Sequence, residues 1–192
     1  MRAFNPPIRG PLGDILQNNT TKLKLSNNSL FFNSIFFISL LLILVNLKLY
    51  EKTIIRFEII GILYFIGVLI FFVFYNRLKK ISIWNNFNNL IFCISVIGSF
   101  LSFFLLGFNN YFSDKNIKIE NYKIQEKKEA RGPKYNRSEK SPLAVIKIKD
   151  SHTKEIKFGR DQIENWKKAH FVELKLSNGF FNFPIIKQKS LK

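Results

Sequence analysis

Three long stretches without a charged residue dominate the first half of this 192-residue chain. They run from Leu30 to Leu47, from Ile59 to Tyr75 and from Leu90 to Phe108. A bilayer core about 30 Å thick requires about 20 predominantly apolar helical residues, with about 17 as the minimum. A soluble domain of this size could not cover three uncharged helices, so the pattern predicts three transmembrane helices.

The ends of these stretches carry residues that are typical of a membrane boundary. Tyr50 and Tyr111 are placed where amphipathic rings prefer the headgroup region. We therefore expect a polar N-terminal segment at 1–29, a three-helix transmembrane region at 30–108 and a small soluble module at 109–192.

The positive charge of the chain has a simple interpretation. Its net charge is +17, and 23 of its 30 basic residues are Lys. The sequence is also rich in Asn, Ile and Phe, as an A/T-rich genome would encode, so we interpret the charge as a solubilising surface and expect no nucleic-acid partner.

The orientation in the membrane follows from Lys and Arg near the spans. They number 7 on the side of the N-terminus and 8 on the side of the C-terminal module. The more basic side tends to be cytoplasmic, but a margin of one charge does not decide the orientation. Of the two orientations, we favour the one with the module in the cytoplasm.

The third stretch contains a stripe of small residues. Ser95, Gly98, Ser99 and Ser102 recur at helical spacing. Small residues let two helices approach closely, so this stripe is predicted to pack against another span, or alternatively against a second copy of the chain. The spans offer almost no ionisable side chain at membrane depth, so we do not expect a transporter, pump or channel.

The first predicted hairpin of the module is AVIKIKDSHTKEIKFG, residues 144–159. A three-residue turn at 151–153 would pair Ile148 with Ile156 and would place the apolar residues of both strands on one face. The lysines of the hairpin would then face water.

The second predicted hairpin centres on Asn178-Gly179, a strong signal for a two-residue type I′ turn. This turn would place Leu176 opposite Phe181 and would end or bulge the pairing at Pro184, because proline has no N–H to donate.

The rest of the module is predicted from shorter signals. Asp161, with Glu164 three residues later, has the pattern of a capping box at the start of a helix. Residues 116–125 are predicted to form another strand, and residues 126–142 are predicted to form a charged linker. The fold class is thus a membrane α-helical part followed by a small α+β module with antiparallel hairpins.

The residues that carry chemistry are few. The chain has two histidines, His152 and His170, and one cysteine, Cys93, which lies in an apolar stretch. Neither histidine has Cys or carboxylate neighbours at metal-ligand spacing. We therefore expect no catalytic residue, no metal and no cofactor, and we expect that the protein is not an enzyme.

Three segments carry a resemblance to a known group of proteins. They are Arg137–Pro142, Lys154–Phe158 and Gly179–Ile186. With them the chain resembles uncharacterised multi-pass membrane proteins of Bacteroidota-type bacteria that have a small C-terminal soluble module. The pattern of that group has Gly and Asp where this chain has Asn182 and Pro184. The resemblance implies a bacterial membrane protein and no particular activity, and we expect it in the inner membrane.

The leading functional hypothesis is a membrane protein whose module binds or stabilises a partner protein. The partners expected are the lipid bilayer and either a protein or a second copy of the chain. A possible partner edge is predicted at Phe180, Phe181, Phe183 and Pro184, because an unpaired strand edge accepts a partner strand. The alternatives are a self-protection or stress factor that acts through its spans and a membrane enzyme.

Overall fold

The computed structural model describes residues 11–81, 85–131, 140–148 and 152–192. Within these ranges the chain forms three long helices followed by a five-stranded sheet with one short helix. The elements are α1 (Pro11–Lys52), α2 (Phe57–Ile81), α3 (Asn86–Tyr111), β1 (Ile117–Arg131), β2 (Lys140–Ile148), β3 (His152–Lys157), α4 (Ile163–Lys168), β4 (Phe171–Asn178) and β5 (Pro184–Leu191). The predicted fold class, a helical membrane part followed by an α+β module, is confirmed.

Each long helix contains a segment that is long and apolar enough to cross a membrane. The segments are Leu30–Lys52, Phe57–Lys80 and Asn86–Tyr111. They are longer than the predicted stretches because each helix continues through polar or basic residues at its ends. The helix α1 begins at Pro11, so it extends into the predicted polar segment 1–29, whose first ten residues lie outside the described part.

The helix α3 lies between the other two and packs against both. The ring of Phe92 on α3 meets Phe32 on α1 edge to face, with centroids 5.3 Å apart. On the α2 side, a Cβ added to Gly67 would lie 2.8 Å from the backbone oxygen of Cys93, so only a glycine permits this approach. Close packing of this kind stabilises helices in lipid, where burial of apolar surface contributes little.

The sheet is antiparallel and its strands lie in the order β3-β2-β1-β4-β5. The long strand β1 pairs with β4 through Ile117–Lys123 and with β2 through Ile124–Arg131, and the register shifts between Ile124 and Glu126. A bulge of this kind increases the twist and curls the sheet. The predicted linker at 126–142 is wrong at both ends, because its first six residues belong to β1 and its last three to β2. Its middle, residues 132–139, lies outside the described residues.

The curled sheet encloses the apolar core of the module. Trp166 of α4 is buried in it and donates its Nε1–H to the carbonyl of Leu143 at 3.1 Å. Ile54, from the connection between α1 and α2, is buried in the same core, so the membrane part contributes to the core of the module. The other buried members are Ala144, Ile146, Ile156, Phe158, Val172, Leu174 and Leu176.

Both predicted hairpins exist, but their registers differ from the prediction. In the first, Ile148 pairs with His152 and Ile146 with Lys154, so Ile148 does not oppose Ile156. The parity argument places Ile146 and Ile156 on one face correctly, yet it cannot distinguish registers that differ by an even number of residues.

The second hairpin has a longer turn than predicted. Asn178 pairs with Pro184, so residues 179–183 form the turn and Leu176 lies opposite Ile186 instead of Phe181. Gly179 does not adopt positive φ, whereas Asn182 does, at 62°. The turn is longer because its residues bond to the end of α3, a contact that local sequence signals do not contain.

The predicted capping box at the start of the short helix is also wrong. Asp161 lies in a 3₁₀ turn at Arg160–Gln162, and α4 begins at Ile163 with Gln162 at its N-cap. No side chain caps this N-terminus. The helix has only six residues, so its position depends on the buried Trp166.

Candidate functional site: a lysine pocket at the membrane junction

The end of α1 meets the sheet at a buried lysine. Lys154 of β3 is 8% exposed, and its Nζ donates to the carbonyl of Tyr50 at 2.9 Å and to that of Thr53 at 2.5 Å. The last carbonyls of a helix have no partner within it and form the negative end of its dipole. Lys154 therefore caps a membrane helix from a strand distant in sequence.

The position of Lys154 follows from the alternation of β3. Lys154, Ile156 and Phe158 are buried, whereas Thr153, Glu155 and Lys157 between them are exposed. The lysines of this hairpin are predicted to face water, which is wrong for Lys154. The signal was present, since Lys154 is in phase with two buried apolar residues.

The surroundings of Lys154 disfavour its charge. Burial lowers the pKa of the Lys154 ammonium to about 8, and the nearby charge of Glu51 opposes this change. The ammonium also lies 4.9 Å from the centre of the Tyr50 ring, a cation–π arrangement. Two carbonyl oxygens and the Tyr50 ring thus partly replace water around the Lys154 ammonium. Among the described residues, no carboxylate forms an ion pair with it.

A pocket of about 630 Å³ opens beside this lysine. It lies between the end of α1 and the two edge strands β3 and β5, because the curl of the sheet brings these edges towards each other. Five lysines and two glutamates line it, a net charge of +3. We call it the lysine pocket; its charged residues are Glu51, Lys52, Lys154, Glu155, Lys157, Lys187 and Lys189.

A second lysine bridges the two edge strands. Lys189 of β5 donates its Nζ to the carbonyl of Lys157 in β3, and its ammonium lies 5.5 Å from the centre of the Phe158 ring. Burial lowers the pKa of Lys189. The negative charge of Glu51 raises this pKa, and repulsion from Lys157 lowers it further. The lysine pocket thus contains two ammonium groups whose charge is incompletely compensated.

A separate contact attaches the module to α3. Asn109 is fully buried; its Nδ2 donates to the carbonyl of Phe183 at 3.0 Å, and its Oδ1 accepts from the N–H of Phe181 at 3.0 Å. A Cβ on Gly179 would collide with the Asn109 side chain. The backbone carbonyl of Asn109 also accepts from the N–H of Phe180 at 3.3 Å, so one residue forms three hydrogen bonds between the β4–β5 turn and the end of a membrane helix.

The predicted small-residue stripe lies inside the helix bundle. Gly98, Ser99 and Ser102 are buried, and Ser95 is half-buried. Gly98 lies against the ring of Tyr64 in α2, and Asn46 of α1 donates to the carbonyl of Ser99 at 2.8 Å. These residues face α1 and α2, so little of the stripe is left for a second copy.

The predicted partner edge lies at the membrane junction. Phe180 and Phe181 are exposed in the β4–β5 turn, and Phe183 and Pro184 are half-buried. The N–H of Ile54 donates to the carbonyl of Pro184 at 2.7 Å. The connection between α1 and α2 therefore occupies this edge of β5.

The remaining candidate residues are not brought together. Cys93 is buried in α3 and His170 is exposed between α4 and β4, while the side chain of His152 lies outside the described part. Among the described residues, no group of three His, Cys, Asp or Glu could hold a metal ion. The lysine pocket is the site that sequence reasoning missed, since it forms from three elements distant in the chain.

Comparison with known proteins gives no relative from which a function could be transferred. The resemblance to multi-pass membrane proteins of Bacteroidota-type bacteria therefore stays a prediction. No protein-family model, no curated protein and no solved structure matches this chain.

Proposed function

We propose that this chain is a non-enzymatic membrane protein whose C-terminal module binds or stabilises a partner protein at the membrane. The observation that carries the proposal is the fixed attachment of the module. Asn109 holds the β4–β5 turn, Lys154 caps α1, and Thr53 forms a β-bridge with Ile185. A module on a flexible tether would need none of these contacts, whereas a platform for a membrane partner needs a fixed orientation.

An exposed apolar pair on the sheet marks the surface we assign to the partner. Ile117 and Ile119 of β1 are 55% and 60% exposed and lie two residues apart on the same face. They lie on the face opposite Tyr122 and Ile124, which pack on the core. Apolar residues grouped on an exposed face are typical of an interaction surface.

The test is site-specific cross-linking in the full-length chain in its native membrane. A photo-reactive residue at position 119 is expected to form one discrete adduct, and the same residue at the exposed Lys168 of α4 is the matched control. The cross-linked protein should also co-purify with the unmodified chain in mild detergent, and Ile119→Asp should abolish its recovery. A chain that purifies alone, with no adduct at position 119, contradicts the proposal.

The proposal includes a bacterial inner-membrane location with the module in the cytoplasm. The connection between α1 and α2 contacts the module, so both lie on the same side of the membrane. The count of Lys and Arg near the spans adds their basic residues together for this reason. A reporter fused after Lys192 that is active only in the cytoplasm is expected to be active. Activity of a reporter that works only outside the cytoplasm would reverse the orientation.

A further inference from the structure

The lysine pocket adjoins the lipid-facing surface of α1. Leu47 lines the pocket and is 56% exposed, and Leu44, one turn earlier, is 60% exposed. Glu51, which also lines the pocket, lies one turn beyond Leu47 on the same side of the helix. An acyl chain that lies along these leucines would therefore end with its headgroup at the mouth of the pocket.

The pocket has positive charge without a matching anion. Lys52 and Lys157 are exposed and form no ion pair with any described residue. Glu155 is already paired, with Lys128 at 3.3 Å. Burial lowers the pKa values of Lys154 and Lys189, and the charge of Glu51 offsets this effect only in part. A bound anion would stabilise all four lysines.

The size and position of the pocket restrict the anion. Its volume of about 630 Å³ is typical of a site for a small ligand or a headgroup. Lysine ammonium groups act as point charges towards phosphate, and anionic lipids attract basic residues at the membrane surface. A soluble anion would use the charge of the pocket but not the exposed leucines below it.

We propose that the lysine pocket binds the anionic headgroup of a membrane phospholipid through its phosphate, with the acyl chains lying along Leu44 and Leu47. The bound lipid would bridge α1, β3 and β5, the elements that form the walls of the pocket. It would thus add to the contacts that hold the module against the membrane.

The test measures lipid retention by native mass spectrometry of the full-length chain. The protein is released from micelles that contain dioleoylphosphatidylglycerol and dioleoylphosphatidylcholine in equal amounts. We expect the wild type to retain phosphatidylglycerol over phosphatidylcholine by at least about tenfold. The pocket variant Lys52→Gln/Lys157→Gln is expected to reduce this preference by about tenfold, while Lys123→Gln/Lys168→Gln, with the same change of charge elsewhere, should keep it.

Three outcomes would overturn the proposal. Equal retention of the two lipids by the wild type would show no recognition of the anionic headgroup. An unchanged preference in the pocket variant would place the lipid elsewhere. Displacement of the lipid by millimolar inorganic phosphate would assign the pocket to a soluble anion. Both variants are also made in a Trp84→Phe background, where Trp166 is the only tryptophan of the chain. Unaltered fluorescence of the buried Trp166 then verifies that the module remains folded.

Discussion

The ammonium of Lys154 lies 2.5 Å from the carbonyl oxygen of Thr53, which joins the C-terminal module to the end of the first membrane helix. The chain separates these residues by about one hundred positions, with two further membrane helices between them. Ile54 enters the module core beside this contact. The membrane part and the module are therefore expected to unfold together.

The stability of the junction should increase with pH in the alkaline range. The pKa of Lys154 is about 8 in the folded chain and 10.5 in its ordinary state. Between these values the unfolded chain binds more protons, so raising the pH favours the folded state. The full difference corresponds to roughly 3 kcal/mol, at about 1.4 kcal/mol for each pKa unit.

Thermal unfolding in detergent from pH 7.5 to 10.5, compared with Lys154→Met, isolates this contribution from the general loss of positive charge. The wild type is expected to gain stability relative to this variant as the pH rises. Lys168→Met, which removes an exposed lysine outside the lysine pocket, should follow the wild type. Parallel curves for the wild type and Lys154→Met would contradict the prediction.

Loss of the Asn109 side chain should loosen the β4–β5 turn. Asn109→Ala removes the acceptor of the Phe181 N–H and one of the two donors to the Phe183 carbonyl, which still accepts from the N–H of Gly179. The loss of these contacts in a partly buried position costs roughly 1–3 kcal/mol. Hydrogen exchange of residues 179–183 should accelerate. Asn110→Ala is the control, because Asn110 is only half-buried and no hydrogen bond of its side chain is found among the described residues. Equal exchange in the two variants would refute a special role for Asn109.

The sequence predicts elements better than it predicts their junctions. The three spans follow from composition, and the inward face of β3 follows from alternation, because both depend on neighbouring residues. The capping of α1 by Lys154 and the five-residue turn held by Asn109 depend on partners about 70 to 100 residues away. Three hydrogen bonds to Asn109 of α3 outweigh the local turn signal of Asn178-Gly179.

Gly179 is required for space and not for its backbone conformation. Its φ is not positive, but a Cβ there would collide with the Asn109 amide. Gly179→Ala should therefore lower the apparent melting temperature in detergent. Gly107→Ala, where the nearest heavy atoms lie 3.9 Å from the added Cβ, should be neutral or slightly stabilising.

A double-mutant cycle separates this collision from a general effect of the methyl group. In the background of Asn109→Ala the obstacle is gone, so adding Gly179→Ala should cost less than it does in the wild type. Additive effects of the two substitutions would show that Gly179→Ala acts through something other than Asn109.

The packing of α2 against α3 should depend on one of the two glycines of α2 and not on the other. A Cβ on Gly67 would lie 2.8 Å from the backbone oxygen of Cys93, and backbone atoms cannot move aside as a flexible side chain can. A Cβ on Gly61 would meet nothing within 4 Å.

Both alanine substitutions gain the same helix propensity, about 1 kcal/mol, so their difference in stability reports packing alone. Gly67→Ala is expected to lower the melting temperature in detergent, and Gly61→Ala to leave it unchanged or raise it. Equal melting temperatures of the two variants would mean that α2 and α3 do not approach each other as closely as Gly67 and Cys93 indicate. Dispersion contacts at this crossing would then contribute little to the stability of the helix bundle.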